Sequence, residues 1–386
     1  MIARDYFNTV LLLFVAAFLI LPTSKMVNNF YYVFMAVPGL FFLLREFRVL
    51  RPSNFTELVF YALCSYIAIY SFFEYPRVIV QALYVFVFVL TVSRFVDVEF
   101  FNTRAFARVL FWGALLYAAM GAVSYYLIND VPFGVPVNPG LSRLDNPIHT
   151  SMFIACTLFV IGPHWIKSNS LWEGLAGFVL AFLAIALVFQ SRSGLVGVGL
   201  WMIFMAISLA KQMSFRGVLI AGMAIAFLII VSIPLFDMAG QSTQLIDRAD
   251  SNRLAIWAGY LTLLWDCGLV LGCGFPELES SNLVRESSTN AIFHPHNIYV
   301  EMTFHYGIIL LLLFVLMMAV ALHMALRQKN WWGGYLLAGL LMLNFDGSRI
   351  TNSPNEVWLM MWLPFALVLA REWQISASRR HHNGLK

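Results

Sequence analysis

Apolar residues run along this chain in long blocks near 6–21, 30–44, 57–73, 78–93, 107–128, 148–166, 173–190, 193–210, 216–236, 298–322, 332–345 and 356–371. Most are long enough to cross a bilayer as helices, which needs about 17–25 residues. A backbone inside lipid must satisfy its own hydrogen bonds, and helices do so within each segment. The blocks lack the strict alternation of a membrane barrel. The pattern predicts an all-α, polytopic integral membrane protein of about twelve transmembrane helices. It reads as a single transmembrane domain over 1–386, with 237–297 inserted as a large polar loop between the ninth and tenth spans. The blocks 332–345 and 356–371 are short for a full crossing, which leaves the last hairpin the least defined.

Composition sharpens this picture. The chain is 61% hydrophobic and 11% charged, against roughly 45–50% and 25% in soluble domains. The formal charge of +4 is distributed as membrane loops require, and does not point to nucleic acid. With the amino terminus inside, most of the 24 lysines and arginines fall on the inner side, as the positive-inside bias demands. Both termini are then cytoplasmic and 237–297 faces out. Arg4 and the apolar Val10 to Leu21 are followed by Pro22-Thr23-Ser24-Lys25 and no small-residue cleavage site, so this segment reads as a first helix. Span interiors are nearly free of charge, with Glu301 and His305 close to the outer boundary. Ion-coupled transporters usually place ionisable groups deeper.

Chemistry concentrates on the outer side. Within the large loop, Asn252 to Asp266 predicts an amphipathic helix with Leu254, Trp257, Ala258, Leu261, Leu264 and Trp265 on one face. Such a helix lies along the membrane surface. Asp250, Ser251 and Asn252 are capable caps, which puts Arg253 in the first turn, where an anion would be bound by N–H groups and guanidinium together. Pairing with Asp250 or a lipid phosphate is the alternative. Gln190-Ser191-Arg192-Ser193-Gly194 joins two apolar blocks, so Arg192 sits at the outer edge, either snorkelling or facing a phosphate. Ser193, Gly194, Gly197 and Gly199 would let the next helix pack closely.

His294-Pro295-His296-Asn297 enters the tenth span. A histidine there is a base near neutral pH or a capping residue; the spacing suits no standard zinc site, and no metal or other cofactor is expected. Arg143 and Asp145 to His149 lead into the sixth span, and Asp346-Gly347-Ser348-Arg349 forms the last outer loop. Each is either a ligand contact or a plain turn. Cys267 and Cys273 share the outer side, which leaves a disulfide open, whereas Cys64 and Cys156 read as packing residues. There is no phosphate-binding Gly-x-x-x-x-Gly-Lys loop and no dinucleotide fingerprint. Lys25 without an acid in the first outer loop disfavours glycosyltransferases that place a carboxylate there.

Ser191-Arg192-Ser193-Gly194, then Arg253 in a long outer loop, then His296-Asn297 with residues 298–306 and Gly307 after it, resembles the O-antigen ligase and polymerase superfamily. Leu310 stands where the family pattern has its second glycine. Lys25 and Asn146-Pro147 are more similar to the ligase branch. The resemblance implies a GT-C-type glycosyltransferase fold with short helices in one periplasmic loop. It also implies a Gram-negative inner-membrane location and a periplasmic active site. The donor would be an O-antigen glycan on undecaprenyl diphosphate and the acceptor a sugar hydroxyl of lipid A-core, with inversion and without metal. Arg192 and Arg253 would bind the diphosphate and His296 would act as base, with Arg143, His294, Asn297 and Arg349 as secondary candidates. The alternatives are an O-antigen polymerase or a lipid or glycan transporter.

Overall fold

A computed structural model describes residues 2–72, 75–210, 253–275, 295–347 and 349–384. Among the described residues the regular elements are all helices, with no strand. In order they form α1 (Ile2–Ile20), α2 (Ser24–Arg45), α3 (Phe55–Ser71), α4 (Pro76–Phe95), α5 (Arg104–Ile128) and α6 (Pro147–Lys167). Next come α7 (Trp172–Val188), α8 (Arg192–Ala210), α9 (Arg253–Cys267), α10 (Ile298–Gln328) and α11 (Trp332–Asp346). A last helix, α12, runs from Trp358–Trp362 into Leu363–Gly384. Helices therefore stand at every apolar block except 216–236, which lies outside the described residues, as do the proposed caps Asp250, Ser251 and Asn252.

Six of these helices are long and apolar enough to cross a membrane. Large apolar side chains such as Leu13, Phe34, Phe41, Leu116 and Leu312 stand exposed on the outside, as lipid contact requires. This is an integral membrane protein. Four helices contain a π-helical turn: Tyr31–Ala36, Ser124–Ile128, Ala184–Val188 and Trp358–Trp362. Such turns bend a helix and redirect the chain beyond the bend; the one at Ala184–Val188 delivers the chain to Gln190 and Arg192. The short last hairpin is well buried, with Trp358, Trp362 and Phe365 wholly enclosed.

Small residues set the closest helix contacts. A Cβ on Gly194 would meet the Ser151 side chain, and one on Gly197 would come within 2.8 Å of Ala155 Cβ. α8 therefore lies against α6 as the sequence suggested. Gly199 takes no part, because its missing Cβ would point into open space.

At the opposite end, Arg94 and Glu57 form a buried pair with 0% side-chain exposure each. Arg94 Nη1 and Nη2 donate to the two Glu57 oxygens at 2.5 and 2.7 Å, and Arg94 Nε donates to the Val49 carbonyl. Ser53 donates to Glu57 from both its backbone N–H and its hydroxyl. The guanidinium also lies 4.0 Å over the Trp373 ring. The pair ties α3, α4 and α12 together.

α9 forms where the sequence placed it, but its faces differ from expectation. Ile256, Tyr260 and Leu264 turn inward against Phe304, with Trp257 and Val300 alongside. Leu254, Leu261 and Trp265 are exposed. The helix is apolar on two sides, so the single-face reading merged the stripe that packs on α10 with the one that faces away. Cys267 and Cys273 are joined by a disulfide, and Cys64 and Cys156 are buried and free.

The loop that this disulfide closes, together with Gly274, explains Gly307. α10 breaks its helical geometry there, at φ 77° and ψ −178°, a conformation that essentially only glycine adopts. Cys273 N–H donates to the Phe304 carbonyl, Gly274 N–H to the His305 carbonyl, and Ile308 N–H to the Leu269 carbonyl. The loop thus takes over backbone groups that the kink releases. Leu310, one turn on, is wholly buried in regular helix.

Candidate active site

Gln190 takes a left-handed conformation at φ 51°, which turns the chain sharply after the π-helical turn. Ser191 then caps α8: its hydroxyl accepts from Gly194 N–H and its carbonyl accepts from Leu195 N–H. Arg192 is consequently the first residue of α8, where unpaired N–H groups and the dipole favour an anion. A cavity of 590 Å³ opens in front of it. Its walls include Pro147, Ser191, Arg192, Arg253, Trp257 and Phe345. The two arginines that the sequence singled out face the same space.

Arg253 carries the electrostatic signature of that proximity. Its pKa is lowered from the guanidinium range by burial first and by the positive charge of Arg192, while Asp346 acts in the opposite direction. Two guanidiniums brought together in a part-buried cavity repel each other unless an anion lies between them.

His296 is fixed beside this cavity from several directions. Trp257, one of the cavity walls, donates its indole N–H to the Pro295 carbonyl at 2.9 Å. His296 takes a left-handed φ of 52°, a conformation that costs free energy in a non-glycine residue. Its Nδ1 lies 2.8 Å from Asp346 Oδ1. The histidine side chain is 40% exposed and the aspartate 7%. A carboxylate on Nδ1 holds the proton there and leaves Nε2 as the basic nitrogen. Burial pushes the Asp346 pKa up, but the His296 hydrogen bond and the charges of His149, His296 and Arg253 outweigh it, and the net shift is downward. His149 Nε2 reaches the same aspartate, 3.6 Å from Oδ2 and 3.3 Å from its carbonyl.

The remaining sequence candidates divide. Asn297 is a helix cap: its Oδ1 accepts from Tyr299 and Val300 N–H, and its amide donates to Asn344 Oδ1 at 2.9 Å. Arg143 makes a bidentate contact to the carboxylate of Glu356, and its backbone N–H donates to the Leu21 carbonyl. Arg349 lies 3.7 Å from Glu301 and its guanidinium is 5.2 Å over the Phe275 ring. His294 lies outside the described residues. Sequence reasoning placed Asp346 in a polar turn without seeing that it holds His296. It gave no separate role to His149, Glu301 or Glu356.

Residues 176–315 match the family model for O-antigen ligase, a stretch that contains Arg192, Arg253, His296 and Gly307. An O-antigen ligase of Pseudomonas aeruginosa is 24% identical over 379 residues, spanning 92% of this chain and 88% of that protein. Over this stretch the chain is similar to the O-antigen ligase superfamily. Asp346 and His149 lie beyond the matched stretch on either side, and the fold brings both close to His296.

Proposed function

We propose that the protein is an O-antigen ligase that transfers a glycan from undecaprenyl diphosphate to a sugar hydroxyl of lipid A-core. The reaction takes place at the periplasmic face of the inner membrane, with about twelve spans and both termini in the cytoplasm. The observation that carries this reading is one cavity with two guanidiniums on its wall and an aspartate-bound histidine beside it.

In this reading Arg192 and Arg253 hold the diphosphate, helped by the N–H groups at the start of α8. His296 Nε2 takes the proton from the acceptor hydroxyl. The hydroxyl oxygen attacks the anomeric carbon from the face opposite the phosphate. The carbon–oxygen bond to phosphate breaks, its electron pair leaves on the diphosphate, and the configuration inverts. The arginines stabilise the charge that builds on the leaving oxygen. Asp346 keeps the imidazole in the required tautomer and stabilises the imidazolium. An apolar groove of 430 Å³ between α5 and α7 is lined by Leu115, Ala119, Leu183 and Val188. In this reading the groove, whose lining residue Val188 precedes Phe189 of the arginine cavity in sequence, would take the donor's lipid tail.

The test is a transfer assay with purified protein, lipid-linked O-antigen and lipid A-core, run with a chelator. Product on lipid A-core is the expected result. Lengthened lipid-linked chains, when a second lipid-linked unit replaces lipid A-core, would make the protein a polymerase instead. Folded protein that joins neither pair would return the transporter reading.

A further inference from the structure

Glu301 lies in the first turn of α10, shortly after His296, and is 4% exposed. Its Oε2 is buried and has no hydrogen-bond partner among the described residues. Its Oε1 is 3.7 Å from Arg349 Nε and 3.8 Å from His305 Nε2, both too long for hydrogen bonds. His305 is committed elsewhere: its Nδ1 lies 2.6 Å from the Gly274 carbonyl, and its ring stacks on Phe275. A proton donated from Nδ1 to that carbonyl leaves Nε2 as a lone pair, which has nothing to give a carboxylate.

An acid in the first turn of a helix gains from the dipole, and that alone would explain an exposed glutamate. It does not explain this one. The N–H groups of the turn are already taken by Asn297, through its side chain to Tyr299 and Val300 and through its carbonyl to Glu301. A buried carboxylate without donors is costly, and persists where something else supplies them. Arg349, beside it, has a side chain 41% exposed, so the pair is reached from outside. A second phosphate is the wrong partner, since the carboxylate would repel it. A sugar bearing adjacent hydroxyls fits: its O–H groups donate to Glu301, and its oxygens accept from Arg349.

We infer that Glu301 and Arg349 form the acceptor-sugar subsite, with the Glu301 carboxylate accepting hydrogen bonds from hydroxyls that flank the attacking one. This rests on the transferase reading above, and it assigns donor and acceptor to different sets of side chains. Arg192 and Arg253 recognise charge; Glu301 recognises the hydroxyl pattern of the sugar that attacks.

The experiment compares wild-type protein with Glu301→Gln and Arg349→Gln at full length. It measures acceptor and donor KM in the transfer assay. It also measures direct calorimetric binding of core oligosaccharide freed of its acyl chains and phosphates. Glu301→Gln is expected to raise the acceptor KM and weaken oligosaccharide binding by roughly 10- to 100-fold, the range for a hydrogen bond to a charged group. The donor KM stays unchanged. Arg349→Gln shifts the same two quantities in the same direction, and carries the test if the glutamate variant fails to fold. An unchanged acceptor KM, or a change confined to thermal stability or donor KM, overturns the subsite while leaving the transferase reading intact. Oligosaccharide binding that depends on Glu301, in a protein that forms no product, overturns the transferase reading and keeps the subsite.

Discussion

Asp346 Oδ1 lies 2.8 Å from His296 Nδ1, and the two residues reach each other from the end of α11 and the start of α10. If His296 is the base, Asp346→Asn should leave a folded protein with the imidazole in the wrong tautomer. The expected loss in kcat is about 10²- to 10⁴-fold, similar to that of His296→Ala. The double variant should be no slower than His296→Ala alone, because the aspartate acts only through the histidine. Single-turnover transfer rates check this. Additive losses would mean that Asp346 touches substrate on its own account.

The same pair gives a pH prediction. Asp346 has its pKa lowered in the folded protein, so it loses a proton more readily there than in the unfolded chain. The stability it contributes is therefore full above the unfolded value of about 3.9 and disappears only as pH falls through the folded value. The difference in Tm between wild type and Asp346→Asn should still be present at pH 5 and close below about pH 4. Closure already between pH 6 and 7 would assign the effect to a histidine.

Arg192 and Arg253 should not tolerate lysine. A lysine keeps the charge but loses the planar fork that grips two phosphate oxygens. Arg192→Lys and Arg253→Lys are each expected to weaken donor binding at least about 10-fold, and alanine more. Inhibition of transfer by added undecaprenyl diphosphate is the direct readout. Lysine variants as sensitive as wild type would show that the arginines do not hold the leaving group.

These residues mark how far the sequence carries. Long apolar blocks make helices wherever lipid is the solvent, so the all-helical membrane class was legible in hydropathy alone. Arg192 and His296 were visible because each is a polar residue at the edge of an apolar block, and Arg253 because it opens a predicted helix in the large loop. The His296–Asp346 bond was not, since it joins positions 50 residues apart and nothing local distinguishes Asp346 from an acid in a turn. Arg143 stood as a secondary candidate until the fold placed Glu356 against it. The helix at Arg253 was found but its inward stripe was not, because apolar residues on two faces blur a single-face pattern. The disulfide needed the loop geometry that brings Cys267 and Cys273 together.

Gly307 and Leu310 should both resist replacement, the glycine in line with the family pattern and the leucine against it. Gly307→Ala puts a side chain at positive φ and into the Val270 carbonyl. A cost of about 1–3 kcal/mol for the backbone alone is expected, with the clash adding to it. Leu310→Gly would complete the glycine pair of the motif, yet Leu310 is wholly buried in an ordinary helical turn. Removing it should cost about 3 kcal/mol or more through the cavity and the helix propensity together. Unfolding midpoints in detergent check both. A neutral Leu310→Gly would mean that the kink extends beyond Gly307.

The Glu57–Arg94 pair allows a test of the fold away from the site. Both side chains are fully enclosed and hydrogen-bond to each other. Replacing one partner leaves a buried charge uncompensated, so Glu57→Gln or Arg94→Met alone should destabilise by about 3–5 kcal/mol. The double replacement removes both charges, and should recover a large part of that loss, although the Ser53 and Val49 contacts go with it. Donor and acceptor KM of whatever folds should match wild type, because neither side chain lines the arginine cavity. A double variant no better than the single ones would show that the contacts to Ser53 and Val49, and not the ion pair, hold α3, α4 and α12 together.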